Sequence, residues 1–161
     1  MADLPNVNHE QIAEFKRIAI SDNDTSVLML NLNRYTANAS YPDGDLYKKY
    51  MAVLSTLLEE VGGKILWRTH VHGCVVGEQY IHEALGIWYP SHKAFLNLMT
   101  APSSEKNMEL RSLAVEHADL HRCIKPNVSL HVKIHLSLLS LVIPNVRRNE
   151  YSKRNPCHVS H

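Results

Sequence analysis

Eleven histidines fall in these 161 residues, and three of them can be brought to one surface. His70 and His72 lie in the run from Lys64 to Val76, KILWRTHVHGCVV, which reads as a β-strand. Side chains at i and i+2 of a strand point to the same face, so both imidazoles would share a surface with Arg68 and Cys74. Residues 81–89 return as the next strand of a hairpin, which would carry His82 close to them. A neutral imidazole, with an ordinary pKa of about 6.5, can take a proton from a carbon acid or a phenol. A second imidazole or a guanidinium can hold the oxyanion that results. That is the chemistry of an aldol-type cyclisation or an enol isomerisation. The plain alternative is a solvated strand face that happens to carry histidines. A metal is a further alternative, since His-x-His on a strand with His82 or Glu83 offers three ligands and an open position. No HExxH and no cysteine-rich knuckle accompanies them, so no metal and no cofactor is assigned.

The end of an earlier strand supplies partners. In Val27–Tyr35 (VLMLNLNRY) the amides of Asn31 and Asn33 and the phenol of Tyr35 share one face, while Arg34 points the other way. Amides and a phenol can orient a ligand carbonyl or hydroxyl. The expected catalytic set is therefore His70, His72 and Tyr35. Asn31, Asn33, Arg68 and His82 are expected to bind substrate together with Trp67, Trp88 and Tyr89; the alternatives are that the two tryptophans fill an interface between subunits and that Tyr89 is a core-edge aromatic. The chain has no Gly-rich phosphate loop, no GxSxG and no CxxC pair.

These residues need elements to place them. Residues 8–19 carry Ile12, Phe15 and Ile18 at helical spacing. In Val27–Tyr35, Leu28, Leu30 and Leu32 form an apolar face expected to receive helices, leaving the other face to meet something more polar. A long helix starts at Asp45, with Leu46, Tyr50, Val53, Leu54, Leu57, Leu58 and Val61 on one side, and Gly62-Gly63 stops it. Strands are expected at 64–76 and 81–89, joined by a short turn at 77–80. Ser91 caps the next helix, a further helix runs over 104–117, and 118–126 is a fourth strand. The order β-α-β-β-α-α-β is the split βαβ, ferredoxin-like plan with a broken second helix: an α+β fold on a four-stranded antiparallel sheet.

Composition bounds the rest. Lys and Arg number 17 against 16 Asp and Glu, a balance that gives no reason to expect nucleic acid or an anionic membrane surface. Residues 1–126 form one domain, and 127–161 read as an appended basic tail with five basic side chains and one acidic. The stretch 128–143 is expected to pack, because it is rich in aliphatic side chains, and 145–161 to be loosely ordered. The longest apolar stretch, Val128 to Pro144, holds His131, Lys133 and His135 and is short for a membrane span. The polar, acidic start MADLPNVNHEQ is neither a secretory signal nor a transit peptide. Three widely spaced cysteines suit a reducing compartment. A cytoplasmic protein is expected.

Over residues 10 to 126 the chain resembles the uncharacterised family called domain of unknown function 1330, in the dimeric α/β-barrel superfamily. The resemblance rests on the order and spacing of VLMLNLNRY, YPDGDLYKKYMAVLSTLLEEVGGKILW, IWYPSHKAFLNLM and the Arg111 helix leading to LHRCIKP. Ile81-His82 stands where relatives carry Trp-Asp, and Trp88 where an acidic residue is common. The resemblance implies a homodimer whose two sheets close a barrel, with a pocket for a small molecule. The expectation is a small-molecule-binding protein or a cofactor-independent enzyme, of cyclase or isomerase type, acting on a small, apolar, oxygenated substrate. The alternative is a non-catalytic dimeric ligand-binding or interaction module.

Overall fold

The computed structural model describes residues 7–123. The expectations for 127–161 lie outside them. The first helix, α1, spans His9–Ala19. The Asn8 side chain caps it by accepting the Gln11 backbone N–H at 3.0 Å, and it buries Phe15. There follow β1 (Val27–Tyr35), a 3-10 turn at Ala37–Ala39, α2 (Asp45–Glu60), β2 (Lys64–His70), β3 (Glu83–Tyr89), α3 (His92–Asn97), α4 (Ser104–Ala114) and β4 (Val115–Cys123). The sheet is antiparallel with strand order β2-β3-β1-β4. This is the split βαβ arrangement expected from the element order. Its helices pack on one face of the sheet around Phe15, Val27, Met29, Tyr47, Tyr50, Leu58, Leu85, Ile87 and Tyr89. Among the described residues no helix is long and apolar enough to cross a membrane.

The helix-facing side of β1 is opposite to the one expected. Val27, Met29, Asn33 and Tyr35 are buried, whereas Leu28, Leu30 and Leu32 are only half-buried. Cross-strand partners share a face. Leu28 pairs with Trp88, Leu30 with Gly86 and Leu32 with Ala84, so these residues form the open face of the sheet. The alternation separates the two faces correctly, but both are apolar enough to be buried. The helices take the side that Leu85, Ile87 and Tyr89 complete. Trp67 lies flat over the open face against Gly86, where a Cβ would collide with the indole.

The hairpin is also longer-looped than expected. β2 ends at His70, and β3 begins at Glu83. The Val71 N–H donates to His82 O at 2.9 Å, but the His82 N–H turns away to Asn33 O at 2.8 Å, and the ladder between β2 and β3 stops there. His72 and Cys74 therefore lie beyond the strand. Within β2 the register shifts between Ile65 and Trp67. One extra residue inverts the facing of everything after it. Ile65, ahead of the shift, faces the helices. After it Arg68 and His70 do so, opposite Leu85 and Glu83, while Trp67 and Thr69 face out.

Helix ends follow their sequence signals. Gly62, with φ of 72°, takes the left-handed conformation that stops α2, and the Gly63 N–H closes on Leu58 O at 2.7 Å. The last helix ends earlier than expected, at Ala114. Val115 already pairs with Tyr35, and the Ala114 carbonyl accepts the Thr36 N–H at 2.9 Å. At α3 the Ser91 hydroxyl accepts the Ala94 N–H at 3.0 Å. Asp24 adds a cap from a distant loop, accepting the N–H groups of His92 at 2.6 Å and Lys93 at 3.2 Å, and meeting His92 Nδ1 at 3.1 Å. Burial pushes the Asp24 carboxyl up, but these hydrogen bonds outweigh it and hold it below the usual range. A lowered folded pKa stabilises above the unfolded value of about 3.9 and stops doing so as the pH falls through the folded one. Asp24→Ala should cost about 1–2 kcal/mol in urea unfolding at neutral pH, and the difference from the unaltered chain should shrink as the solution is acidified below about pH 4.

Candidate functional site

The parity of β3 places an acid in the core. Glu83, Leu85, Ile87 and Tyr89 alternate toward the helices, and Glu83 is 1% exposed. An unpaired carboxylate there would be very costly. Three donors meet it. The Tyr35 hydroxyl donates to Oε2 at 2.6 Å, and the Tyr47 hydroxyl lies 3.0 Å from both carboxylate oxygens. Arg68 Nε reaches Oε1 at 2.8 Å. Arg68 Nη2 also donates to the Tyr47 hydroxyl, and Asn33 Nδ2 to the Tyr35 hydroxyl at 3.3 Å. Each phenol thus donates to the acid and accepts from a second group, so the network is complete with Glu83 as an acceptor. Burial, and next its bonding to Glu83, push the Tyr35 hydroxyl far up; burial and then the Glu83 charge do the same to Tyr47.

A second layer lies over the first. Tyr41, from the loop after the 3-10 turn, stacks on Tyr35 with ring centres 4.9 Å apart and meets Tyr47 edge-on at 4.9 Å. Its hydroxyl is 2.6 Å from His70 Nδ1. Burial, with the Glu83 charge as the second cause, pushes the Tyr41 phenol up to about 12. It is therefore a neutral hydroxyl throughout the physiological range. His82 lies parallel to both Tyr35 and Tyr41. Its Nδ1 accepts the Tyr35 backbone N–H at 2.9 Å, and Nε2 is 3.0 Å from the Tyr80 hydroxyl. With Nδ1 accepting, the neutral ring carries its proton on Nε2, facing Tyr80.

The structure divides the residues expected at the site. Tyr35, Asn33, Arg68, His70 and His82 come together. Tyr35, at 2% exposure, is sealed beneath Tyr41 and positions Glu83; it does not present its hydroxyl to a ligand. Asn31 is half-buried and bonds Met29 O at 3.1 Å. His72 is exposed beyond the strand and, among the described residues, has no hydrogen-bond partner. Trp67 and Trp88 lie on the opposite, open face, and Tyr89 packs in the core against Phe95. The ligand set considered for a metal does not assemble: among the described residues no three His, Cys, Asp or Glu side chains converge. Tyr41 and Tyr47 are absent from the sequence expectation, and Glu83 enters it only as a metal ligand. Glu83 did carry a signal, its i+2 spacing with Leu85, Ile87 and Tyr89. Tyr41, in a turn-like loop, carried none.

The class these elements define is a ferredoxin-like α+β domain. No protein-family model matches the chain, and no curated protein matches it. Among solved structures it is similar to RPA0582, a protein of unknown function from Rhodopseudomonas palustris, at 27% identity and a TM-score of 0.61 over 75% of this chain and 97% of that one. It is likewise similar to the methylated RPA0582 protein, at 27% identity and a TM-score of 0.62 over 79% of this chain and 99% of that one.

Two outcomes test the buried network. Glu83→Gln removes the charge that three donors converge on and should cost about 3 kcal/mol in equilibrium unfolding. Tyr35, Tyr41, Tyr47, Tyr50 and Tyr89 all have hydroxyls pushed up chiefly by burial. A raised folded pKa stabilises below the unfolded value, about 10 for tyrosine, and is lost as the pH rises through the folded one. Phenolate absorbance from these five should appear together with loss of circular dichroism above about pH 10. Gradual ionisation in the folded state would contradict the network.

Proposed function

We propose that this chain belongs with the domain of unknown function 1330 family and acts as a homodimer. In this reading it binds a small, largely apolar, oxygenated molecule and moves a proton on it at His70. The observation that carries the reading is the 2.6 Å contact between the Tyr41 hydroxyl and His70 Nδ1 at the open rim of a buried charge network. When Nδ1–H donates to the Tyr41 oxygen, Nε2 is left as an exposed base. Tyr41, kept neutral by burial and the nearby acid, can turn its own O–H to the oxyanion that forms. Arg68 stands behind both. The reaction class is proton abstraction beside a carbonyl or from a phenol, as in an enol isomerisation or an aldol-type cyclisation, with no cofactor required by the groups present.

The open sheet face supports the dimer. It carries Leu28, Leu30, Leu32, Ala84, Gly86 and Trp88, with Trp67 45% exposed across them and Leu66 49% exposed beside it. β4 edges the same face with Cys123, His121 and Asp119 opposite those leucines, and an apolar patch across the other three strands is buried in association or becomes an aggregation site. A second reading, a dimeric binding or interaction module without catalysis, is favoured by the exposure of His70 and by His72, which is exposed and has no hydrogen-bond partner among the described residues.

Deuterium uptake at the α-carbon of simple aryl ketones distinguishes the two. The catalytic reading expects exchange, and a loss of roughly two to four orders of magnitude in His70→Ala, with His72→Ala unaffected. Ketone binding without exchange, or full exchange by His70→Ala, leaves the module. Sedimentation at micromolar concentration should give a dimer, and Leu30→Asp a monomer. A monomeric unaltered chain would remove the assembly from the proposal.

A further inference from the structure

Arg68 is held in an unusual way for a half-exposed side chain. Its counter-charge, Glu83, is 1% exposed, while the arginine side chain is 42% exposed. A guanidinium has five N–H donors in a rigid plane. Two are used, Nε on Glu83 and one Nη2 hydrogen on Tyr47. The two Nη1 hydrogens and the second Nη2 hydrogen have no partner among the described residues. One Nη1 hydrogen and that Nη2 hydrogen lie side by side as the end edge of the fork, which matches the two oxygens of a carboxylate. Other arginines are differently placed. Arg17 and Arg34 pair with partly exposed acids, and Arg122 lies over the Phe15 ring.

We infer that the end edge of Arg68 is an anion subsite, and that the molecule bound at the His70–Tyr41 rim is a small carboxylic acid with a planar apolar body. The inference rests on the reading of that rim as a ligand site, and it names the substrate class. Glu83 and Tyr47 fix the guanidinium before a ligand arrives, so binding does not have to order a flexible side chain. A ligand carboxylate on the end edge would touch the guanidinium directly and have Glu83 on its far side. Attraction therefore acts over the shorter distance. One guanidinium already facing one buried acid suits a monoanion better than a dianionic phosphate, and the sequence has no Gly-rich loop to cradle phosphate. The planar body follows from the neighbours, since the rings of Tyr41, His82 and Tyr80 bound the same rim.

The test uses the full chain with benzoate and its neutral isostere benzamide, followed by calorimetry and by the arginine Nε–H and histidine ring resonances. Benzoate should bind saturably, benzamide at least about tenfold more weakly, the worth of a charged hydrogen bond. The resonances of Arg68 and His70 should both move, and Arg68→Gln should lose benzoate binding roughly ten- to hundredfold. Should that variant not fold, the benzoate-to-benzamide ratio and the Arg68 resonance in the unaltered chain decide alone. Equal binding of both probes with His70 moving and Arg68 still would overturn the carboxylate class while leaving the rim a ligand site. Benzoate bound at Arg68 in a protein that exchanges no deuterium into either simple aryl ketones or the carboxylate-bearing 4-acetylbenzoate would uphold the subsite and sink the proton-transfer reading. Binding of neither probe, or movement of a different arginine, overturns the subsite.

Discussion

The burial of one negative charge governs the end of this sheet where the candidate site lies. Glu83 is enclosed by the fold, and a carboxylate removed from water must recover its solvation from fixed donors. Tyr35 comes from β1, Tyr47 from α2 and Arg68 from β2. Three elements distant in sequence are therefore tied at one point. The requirement reaches outward as well. Tyr41 can stack where it does because Tyr35 and Tyr47 are held beneath it, and His70 has a hydroxyl to meet because Tyr41 is held.

The same arrangement separates strength from accessibility. The inner layer of Glu83, Tyr35 and Tyr47 is sealed, and its hydrogen bonds are completed by Asn33 and by the inward edge of Arg68. The outer layer of Arg68, His70, Tyr41 and Tyr80 has donors, acceptors and ring faces turned toward solvent. A site built this way can present a fixed guanidinium and an oriented imidazole without loosening the core that positions them. The connection from Val71 to His82 borders this rim and is fastened at its return. His82 holds the Tyr35 backbone N–H, and Gln79 reaches Asp119 on β4 at 2.8 Å. Its Val75 and Val76 are almost wholly exposed.

The two faces of the sheet divide the work. One is closed by helices and contains the charge network. The other is largely apolar across β1, β2 and β3, with Trp67 laid over Gly86, and polar along β4, where His121 and Asp119 stand opposite Leu30 and Leu32. Both faces of β1 are apolar, as in strands covered on two sides. The described residues of one chain supply the helical cover for one side only.

Much of the fold was legible because it depends on local chemistry. The helical spacing of α2, its stop at Gly62 and the Ser91 cap follow from residue types a few positions apart, and so does the period-2 alternation of β1. The spacing in the sequence also singles out Arg68, His70, His82, Tyr35 and Asn33, and the structure gathers these five. It could not choose the face of β1 that the helices cover, because Val27, Met29 and Tyr35 are as suited to burial as the leucines between them. Nor could it locate the irregularity between Ile65 and Trp67, which has no residue signature. That shift puts Arg68 and His70 on the side of Glu83, and the early end of β2 removes His72 from their company. Tyr41 and Tyr47 join the site from a loop and a helix, through contacts that exist only once the chain has closed. Local spacing fixes which side chains can share a face. Only the tertiary structure decides which faces meet, because that depends on where a buried charge can find its donors.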